Sequence, residues 1–164
     1  MSDGLFAFIN KIPNLFGSWH GGENDHTDSD ANGYMYLIAI NKSDSELFNM
    51  TINDLFIEQI YRFSAYLANA EKNKPNSVKP NVRFEVRTTT TDRQVIAQFN
   101  TSDIPQHQRL TWQQYGISFK ASNSSLVLLI ISNVENPGGN DLIIDDIELE
   151  LLSMTNMSGD CISG

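Results

Sequence analysis

Short apolar segments alternate with polar turns along most of the chain. The clearest is Val82 to Arg87, in which apolar Val, Phe and Val alternate with Arg, Glu and Arg. A period of two is typical of a β-strand that buries one face. The same pattern, with branched and aromatic enrichment, predicts about eight strands: Tyr34 to Ile40, Phe48 to Ile52, Tyr61 to Leu67, Val82 to Arg87, Val95 to Phe99, Tyr115 to Phe119, Leu126 to Ile131 and Leu142 to Leu149.

Helical periodicity is absent from the sequence over any three turns. The pattern of Ile52 to Ile60 supports one helical turn at most. The segment Glu71 to Pro80 contains two prolines and is typical of a long exposed loop. Eight short antiparallel strands with polar loops predict an all-β fold, a two-sheet antiparallel β-sandwich. We place this domain at residues 5–152 and interpret 153–164 as a flexible polar tail.

Composition and charge narrow the function classes. The chain has 164 residues, enough for one domain with a substantial core. A net charge of -9 argues against a nucleic-acid partner, because such partners are bound through Lys and Arg. No apolar run reaches the roughly 20 residues needed to cross a bilayer, so no membrane insertion is predicted. The only cysteine, Cys161, excludes an internal disulfide; its alternatives are no role or a tether to another chain.

The N-terminal segment Met1 to Phe16 lacks the basic region and the small-residue cleavage site of a signal peptide. The chain is therefore expected to be cytosolic, or to be a mature or excised piece of a secreted protein.

Carboxylates interrupt the apolar strand near the end of the chain. Asp141, Asp145 and Asp146 lie among Leu and Ile residues, where an unpaired carboxylate is costly to bury. No Lys or Arg follows Lys120, so the sequence offers no local base. A second acidic cluster, Glu23 to Asp30, lies far upstream. Two oxygen-rich segments in one compact chain predict a shared hard cation, with calcium the natural candidate.

Other interpretations of the acidic run stay open. Most acidic runs are solvated loops, and the Asp spacing does not match an EF-hand loop. Zinc would need more His or Cys ligands than His20, His26 and His107 provide. We expect His26 to form hydrogen bonds that fix the loop.

Seven short motifs occur in an order found in a group of extracellular domains. They are Trp19-His20-Gly21-Gly22, Asp25-His26-Thr27, Asn32-Gly33-Tyr34-Met35, Tyr61 to Tyr66, Asn81 to Glu85, Trp112 to Gly116 and Asn140 to Ile147. Through them the chain resembles the galactose-binding-like jelly rolls, the fold of many carbohydrate-binding modules and of adhesion modules in large surface proteins. The resemblance runs from about Phe6 to Leu152.

The resemblance implies an extracellular or cell-surface location and a jelly roll whose termini lie close together. It also implies a structural calcium held between an N-terminal loop and the last strand. The matching positions are Asp25, Thr27, Asp30 and Asp145, with Asp141 or Asp146 nearby.

A carbohydrate site has a candidate strand. Arg83, Glu85 and Arg87 share one face, which is either simply the wet side of the strand or a row of groups for sugar hydroxyls. We expect Tyr66, or alternatively Trp112, to supply an aromatic stacking plane on the same sheet face. Trp112 and Trp19 are both also interpreted as core residues. The extended tryptophan row of many sugar-binding relatives is missing.

Catalytic motifs are missing from the sequence. It contains no Gly-x-Ser-x-Gly elbow, no phosphate-binding glycine loop and no plausible Cys-His pairing. Asp145 and Asp146 are adjacent on a strand, so they are expected to point to opposite faces rather than form a glycosidase pair. We predict a noncatalytic, calcium-stabilised module that binds carbohydrate or a glycosylated (glycoprotein) surface. The alternative is a structural or adhesive module of a large surface protein or viral particle without a small-molecule ligand.

Overall fold

A computed structural model describes residues 5–30, 32–134 and 140–153. These residues form nine strands: β1 (Phe6–Ile9), β2 (Met35–Ala39), β3 (Glu46–Ile52), β4 (Ile60–Asn69), β5 (Asn81–Thr88), β6 (Val95–Asp103), β7 (Gln113–Lys120), β8 (Leu126–Ser132) and β9 (Asp141–Ser153). The described ranges contain no helix, so the all-β class predicted from the sequence is confirmed. None of them forms a helix able to span a bilayer.

Two antiparallel sheets pack face to face. One has five strands in the order β1-β2-β9-β4-β7, and the other has four in the order β3-β8-β5-β6. The predicted two-sheet antiparallel sandwich is confirmed. Alternate residues of the inner strands, such as Phe63 in β4 and Phe84 in β5, are fully buried between the sheets. Their rings meet edge to face with centroids 5.2 Å apart, a favourable aromatic arrangement.

The outer face of each sheet is partly covered. In β8 every residue is buried, because Val127, Leu129 and Ile131 form a second apolar cluster on the side away from the main core. On the five-stranded sheet, residues 10–30 cross the outer face. There Ile12 and Trp19 pack on the outward residues of β2 and β9. Trp19 is 3% exposed, which confirms its interpretation as a core residue.

Strand β1 did not follow from the sequence pattern. Its four residues are all apolar, so they show no alternation, and the eight predicted strands begin only at Tyr34. Pairing with β2, from Phe6↔Ile38 to Ile9↔Met35, makes the segment a strand.

The ends of the described chain lie apart, against the expectation of adjacent termini. Phe6 pairs with Ile38 of β2, which in turn pairs with Leu142 at the start of β9, whereas Ser153 lies at the opposite end of β9. About ten residues of β9, or roughly 30 Å, therefore separate Ser153 from the position of Phe6. Ser153 still belongs to β9, while the rest of the predicted tail, 154–164, lies outside the described residues.

Candidate functional site

A β-bulge interrupts β9 at the acidic pair. Ser64 pairs with Glu148 and Tyr66 pairs with Asp145, so β9 holds one residue more than β4 between these pairs. Asp146 has a φ of 45°, the left-handed conformation that bulges commonly contain. The bulge turns the Asp146 side chain toward the loop that precedes β2.

Both carboxylates of the pair bind one loop residue. The His26 backbone N–H donates to Asp145 Oδ2 at 2.8 Å. The His26 ring Nδ1 lies 2.7 Å from Asp146 Oδ2, and Thr27 Oγ1 donates to the same oxygen at 3.1 Å. The expectation that Asp145 and Asp146 point to opposite faces is wrong, because the bulge breaks the strict alternation. The prediction that His26 fixes the loop by hydrogen bonds is confirmed.

Asp25 lies close to other carboxylates. Partial burial raises the pKa of the Asp25 carboxyl, and the negative charges of Asp145, Asp30 and Asp146 raise it further, while His26 lowers it. Gly33 makes room for this packing: a Cβ atom there would lie 1.6 Å from Asp25 Oδ2. Loop and bulge therefore bring four like charges together, which we call the acidic cluster: Asp25, Asp30, Asp145 and Asp146.

Asp141 has a separate partner. Its Oδ2 accepts a hydrogen bond from the Trp19 indole at 2.9 Å. This bond ties the covering segment to the start of β9, four residues before Asp145. Asp141 therefore supports the position of Trp19.

The donor set of the acidic cluster suits a hard cation. Its side chains offer only carboxylate oxygens, with the Thr27 hydroxyl beside them, and Ca²⁺ prefers such ligands. Within the described ranges, however, no three His, Cys, Asp or Glu side chains converge as ready-made metal ligands. The chemistry fits calcium, while the present arrangement is held by hydrogen bonds from His26 and Thr27.

The predicted sugar-binding residues do not share a sheet. Tyr66 lies on β4 of the five-stranded sheet, and Arg83, Glu85 and Arg87 lie on β5 of the four-stranded sheet. All four point away from the core, so they occupy opposite sides of the sandwich. The expected common face is wrong, because alternation assigns a residue to a face and only the topology assigns its strand to a sheet.

Tyr66 also has an occupied ring face. The His26 imidazole stacks on it with centroids 3.5 Å apart, and Trp112 meets His26 edge-on at 5.9 Å. Trp112 is partly buried against the cluster around Trp19. Tyr66 and Trp112 therefore both pack against the His26 ring, which stays 27% exposed.

Glu85 is the centre of a salt-bridge network on the outer face of the four-stranded sheet. Arg83 Nε donates to Glu85 Oε1 at 2.6 Å, and Arg87 Nε donates to Glu85 Oε2 at 2.5 Å. The Glu85 side chain is 3% exposed. The remaining Arg83 nitrogens donate to Asp44 and Asn133. Burial alone would lower the pKa of the Arg83 guanidinium, yet hydrogen bonds to Glu85 and Asp44 raise it.

An open polar cleft of about 500 Å³ lies beside this network, and we call it the amide cleft. Its walls are Asn81, Arg83, Gln98, Asn100, Ser102 and Asn133. Asn133 Nδ2 donates to Asn81 Oδ1 at 2.9 Å and lies 3.3 Å from Asn100 Oδ1. Three of the amides thus hold one another in fixed orientations.

Sequence reasoning found only Arg83 of the cleft. Gln98, Asn100 and Ser102 occupy every second position of β6, a sequence pattern that predicts one polar face of the strand. Asn81 and Asn133 lie 52 residues apart, so only folding brings them together.

No protein-family model matches the sequence, and no curated protein sequence matches it. Solved structures match in shape. The EclA C-terminal domain, described as a sugar-binding protein, has a TM-score of 0.52 and 18% identity over 84% of this chain and 91% of that domain. The enzymatically active domain of tailspike protein 4 from bacteriophage CBA120 has a TM-score of 0.52 and 10% identity over 90% of this chain and 18% of that one.

A third similar structure is the CBM22-1 xylan-binding domain from Paenibacillus barcinonensis Xyn10C. Its TM-score is 0.48 at 12% identity, over 92% of this chain and 94% of that domain. The EclA and tailspike similarities identify the fold: this chain is a jelly-roll β-sandwich. The resemblance to galactose-binding-like jelly rolls is confirmed at the level of fold.

Proposed function

We propose that the chain is a noncatalytic module that binds carbohydrate in the amide cleft. The observation that carries this proposal is the lining of the cleft by side-chain amides and a hydroxyl on the outer side of the four-stranded sheet. Amides both donate and accept hydrogen bonds, as sugar hydroxyls do. The Gln98 amide and the Ser102 hydroxyl have no hydrogen-bond partner within the described ranges, so they are available to a ligand.

The charge on this face favours a neutral sugar. Arg83 and Arg87 are balanced by Glu85 and Asp44, so these four groups have a net formal charge of zero. All three Arg83 nitrogens already donate to protein acceptors. No unpaired guanidinium therefore faces the cleft to select a uronic acid or a sulfated sugar.

Affinity should be low, because the cleft is open and none of its lining residues is aromatic. We expect dissociation constants in the roughly millimolar to micromolar range, or about 4 to 8 kcal/mol. Such a module becomes effective when a parent protein carries several binding units, since avidity multiplies weak sites.

The experiment compares Gln98→Ala with Gln108→Ala by affinity electrophoresis in gels containing soluble neutral glucan, xylan or galactan, with polygalacturonate as the acidic probe. Gln98 lines the amide cleft, whereas Gln108 is an exposed residue outside it. Wild type and Gln108→Ala should be retarded equally in at least one neutral gel. Gln98→Ala should bind about three- to tenfold more weakly, the loss of one or two hydrogen bonds. Equal retardation of all three proteins would place the site elsewhere.

We also propose that calcium stabilises the acidic cluster. Asp25, Asp30 and Asp145 would hold the ion, with Thr27 and Asp146 beside it, and the ion would offset the mutual repulsion of the carboxylates. The support is the raised pKa of Asp25 and the oxygen-only donor set. Weak calcium sites of this kind suit the extracellular or cell-surface location proposed for the chain.

The calcium test compares Asp25→Asn with Asp28→Asn, an exposed residue of the same loop. The raised pKa of Asp25 means that its stabilising contribution is lost as pH rises through that pKa. In chelator at pH 7, Asp25→Asn should therefore melt at a higher temperature than wild type, and Asp28→Asn should not.

Added calcium should reverse that order. At a hundred times its dissociation constant, calcium stabilises the wild type by about 2.7 kcal/mol. Asp25→Asn should gain much less, while Asp28→Asn should gain as much as the wild type. Melting curves of the wild type that coincide in calcium and in chelator would contradict the proposal.

A further inference from the structure

The edge strand β1 is apolar and exposed. Phe6 and Phe8 are 63% and 68% exposed, and Leu5 before them is 50% exposed. No described strand pairs with the outer side of β1. Soluble proteins normally protect such edges with charged residues, proline or bulges. The other three edge strands each carry a charged residue: Glu46 in β3, Asp103 in β6 and Lys120 in β7.

The aromatic side chains of this edge form an ordered shelf. Tyr36 on β2 stacks on Phe8 with centroids 5.0 Å apart and meets Phe6 edge-on at 5.5 Å. A cleft of about 250 Å³, lined in part by Phe6, Tyr36 and Leu47, continues from the shelf toward β3. The apolar surface is therefore larger than two isolated side chains.

The backbone N–H and C=O groups of β1 point alternately toward β2 and toward the open side. Leu5 accepts a hydrogen bond from the Ala39 N–H at 2.9 Å, so Leu5 and every second residue after it direct their backbone groups toward β2. In an antiparallel ladder the alternate residues direct theirs the other way. The N–H and C=O groups of Phe6 and Phe8 therefore point to the open side.

We propose that β1 pairs with β1 of a second copy of this chain, in antiparallel orientation, around a two-fold axis at Ala7. The segment Phe-Ala-Phe is the same in both directions, so Phe6 of each copy lies opposite Phe8 of the other. This register forms four backbone hydrogen bonds, two from each Phe6–Phe8 pair. It joins two five-stranded sheets into one of ten strands and gathers four Phe rings on one face.

The symmetric Phe-Ala-Phe sequence of the edge points to a second copy as the occupant, and the absence of charge on β1 permits the contact. Two copies with a net charge of -9 each repel one another over most of their surfaces. From Phe6 to Ile9 β1 carries no charge, so the pairing brings no like charges face to face. The contact is shorter than a standard interface, so the dimer should be weak and should depend on concentration. It does not depend on carbohydrate binding.

The first test uses sedimentation velocity on the full chain with Cys161→Ser, which prevents disulfides through the tail. This protein should shift from monomer to dimer between low micromolar and near-millimolar concentration. Phe8→Lys should weaken association at least tenfold. Phe56→Lys, at a residue 60% exposed in the turn after β3, should leave it unchanged. A wild-type chain that stays monomeric throughout, or equal effects of the two Lys variants, would overturn the pairing.

The second test fixes the register. Opposed residues of a non-hydrogen-bonded antiparallel pair have Cα atoms about 4.5 Å apart, within the range that a disulfide bridges. Ala7→Cys in the Cys161→Ser background should therefore give a covalent dimer under mild oxidation. Thr51→Cys on the β3 edge should remain monomeric. No cross-link at Ala7, or equal cross-linking at Thr51, would overturn the two-fold pairing.

Discussion

Glu85 shows how one residue organises the outer face of the four-stranded sheet. Its carboxylate is almost fully buried, and each of its oxygens accepts a hydrogen bond from a different arginine. Burying a carboxylate is costly unless it is paired. The arginines meet this need, and Arg83 also reaches Asn133 in the amide cleft. The network thereby connects the stability of the sheet to the orientation of the cleft amides.

Two carboxylates contact the same guanidinium, and they should contribute very differently to stability. Glu85 is 3% exposed and Asp44 is 74% exposed, and both accept hydrogen bonds from Arg83. Glu85→Gln removes a buried partner of two arginines and should cost about 3 kcal/mol. Asp44→Asn breaks an exposed pair and should cost less than about 1 kcal/mol.

Urea denaturation measures both losses in free energy of unfolding. Equal losses of stability in the two variants would show that the burial of Glu85 does not increase its contribution to stability above that of Asp44. Because Arg83→Ala would also disturb Glu85, variants of Gln98 are the cleaner probes of carbohydrate binding.

At the scale of elements, irregularities in the strands decide where the side chains point. The bulge in β9 brings Asp145 and Asp146 to one loop residue, His26. A regular strand would send the two carboxylates to opposite faces. The acidic cluster therefore exists because β9 contains one extra residue opposite β4.

Close strand packing at β7 gives a second prediction at this scale. A Cβ atom on Gly116 would lie 2.4 Å from the Phe63 carbonyl oxygen and 2.8 Å from Ser64 Cα, both on β4. Gly116→Ala should therefore push the strands apart and cost roughly 1 to 3 kcal/mol. Ser118→Ala, an exposed residue of the same strand, should change stability by less than about 0.5 kcal/mol. Chemical denaturation of the two variants tests this, and equal stabilities would contradict it.

At the scale of the whole molecule, the sandwich separates the two proposed sites. The acidic cluster joins the loop before β2 to the five-stranded sheet, and the amide cleft lies on the outer side of the four-stranded sheet. The apolar core lies between them. The proposed calcium site is therefore structural, and a sugar in the cleft does not contact the ion.

Acid should loosen the covering N-terminal segment. His20 lies in the middle of this segment, is 3% exposed and donates its backbone N–H to Ala70 O at 3.0 Å. Burial lowers the pKa of His20, and the charge of Lys72 lowers it further. Stability from the neutral ring is present above pH 6.5, the ordinary value, and is lost as pH falls through the lowered pKa.

The measurement is the free energy of unfolding in chelator between pH 7 and pH 5. One histidine contributes a slope of at most about 1.4 kcal/mol per pH unit. His20→Gln should reduce the wild-type slope, even if it changes stability at pH 7. An identical slope in both proteins would show that other groups dominate.

The sequence alone determined the class of fold and most of the strands. Period-two alternation is a local property, so Val82 to Arg87 reveals which side chains face the core without any knowledge of the partner strands. The carboxylates in β9 were also recognisable from the sequence, because charged residues within an apolar segment can be identified without knowledge of the partner strands. Strand β1 was not predicted, because a short apolar segment has no alternation to read.

Only the tertiary structure decided which residues meet. Tyr66 and Arg83 each have a clear strand face, yet chain topology places their strands in different sheets. The bulge at Asp146 is also invisible in the sequence pattern, because it results from pairing with β4. Asn81 and Asn133 form the amide cleft across 52 residues of chain. Local pattern fixes the direction of a side chain relative to its own strand, whereas long-range pairing fixes its neighbours.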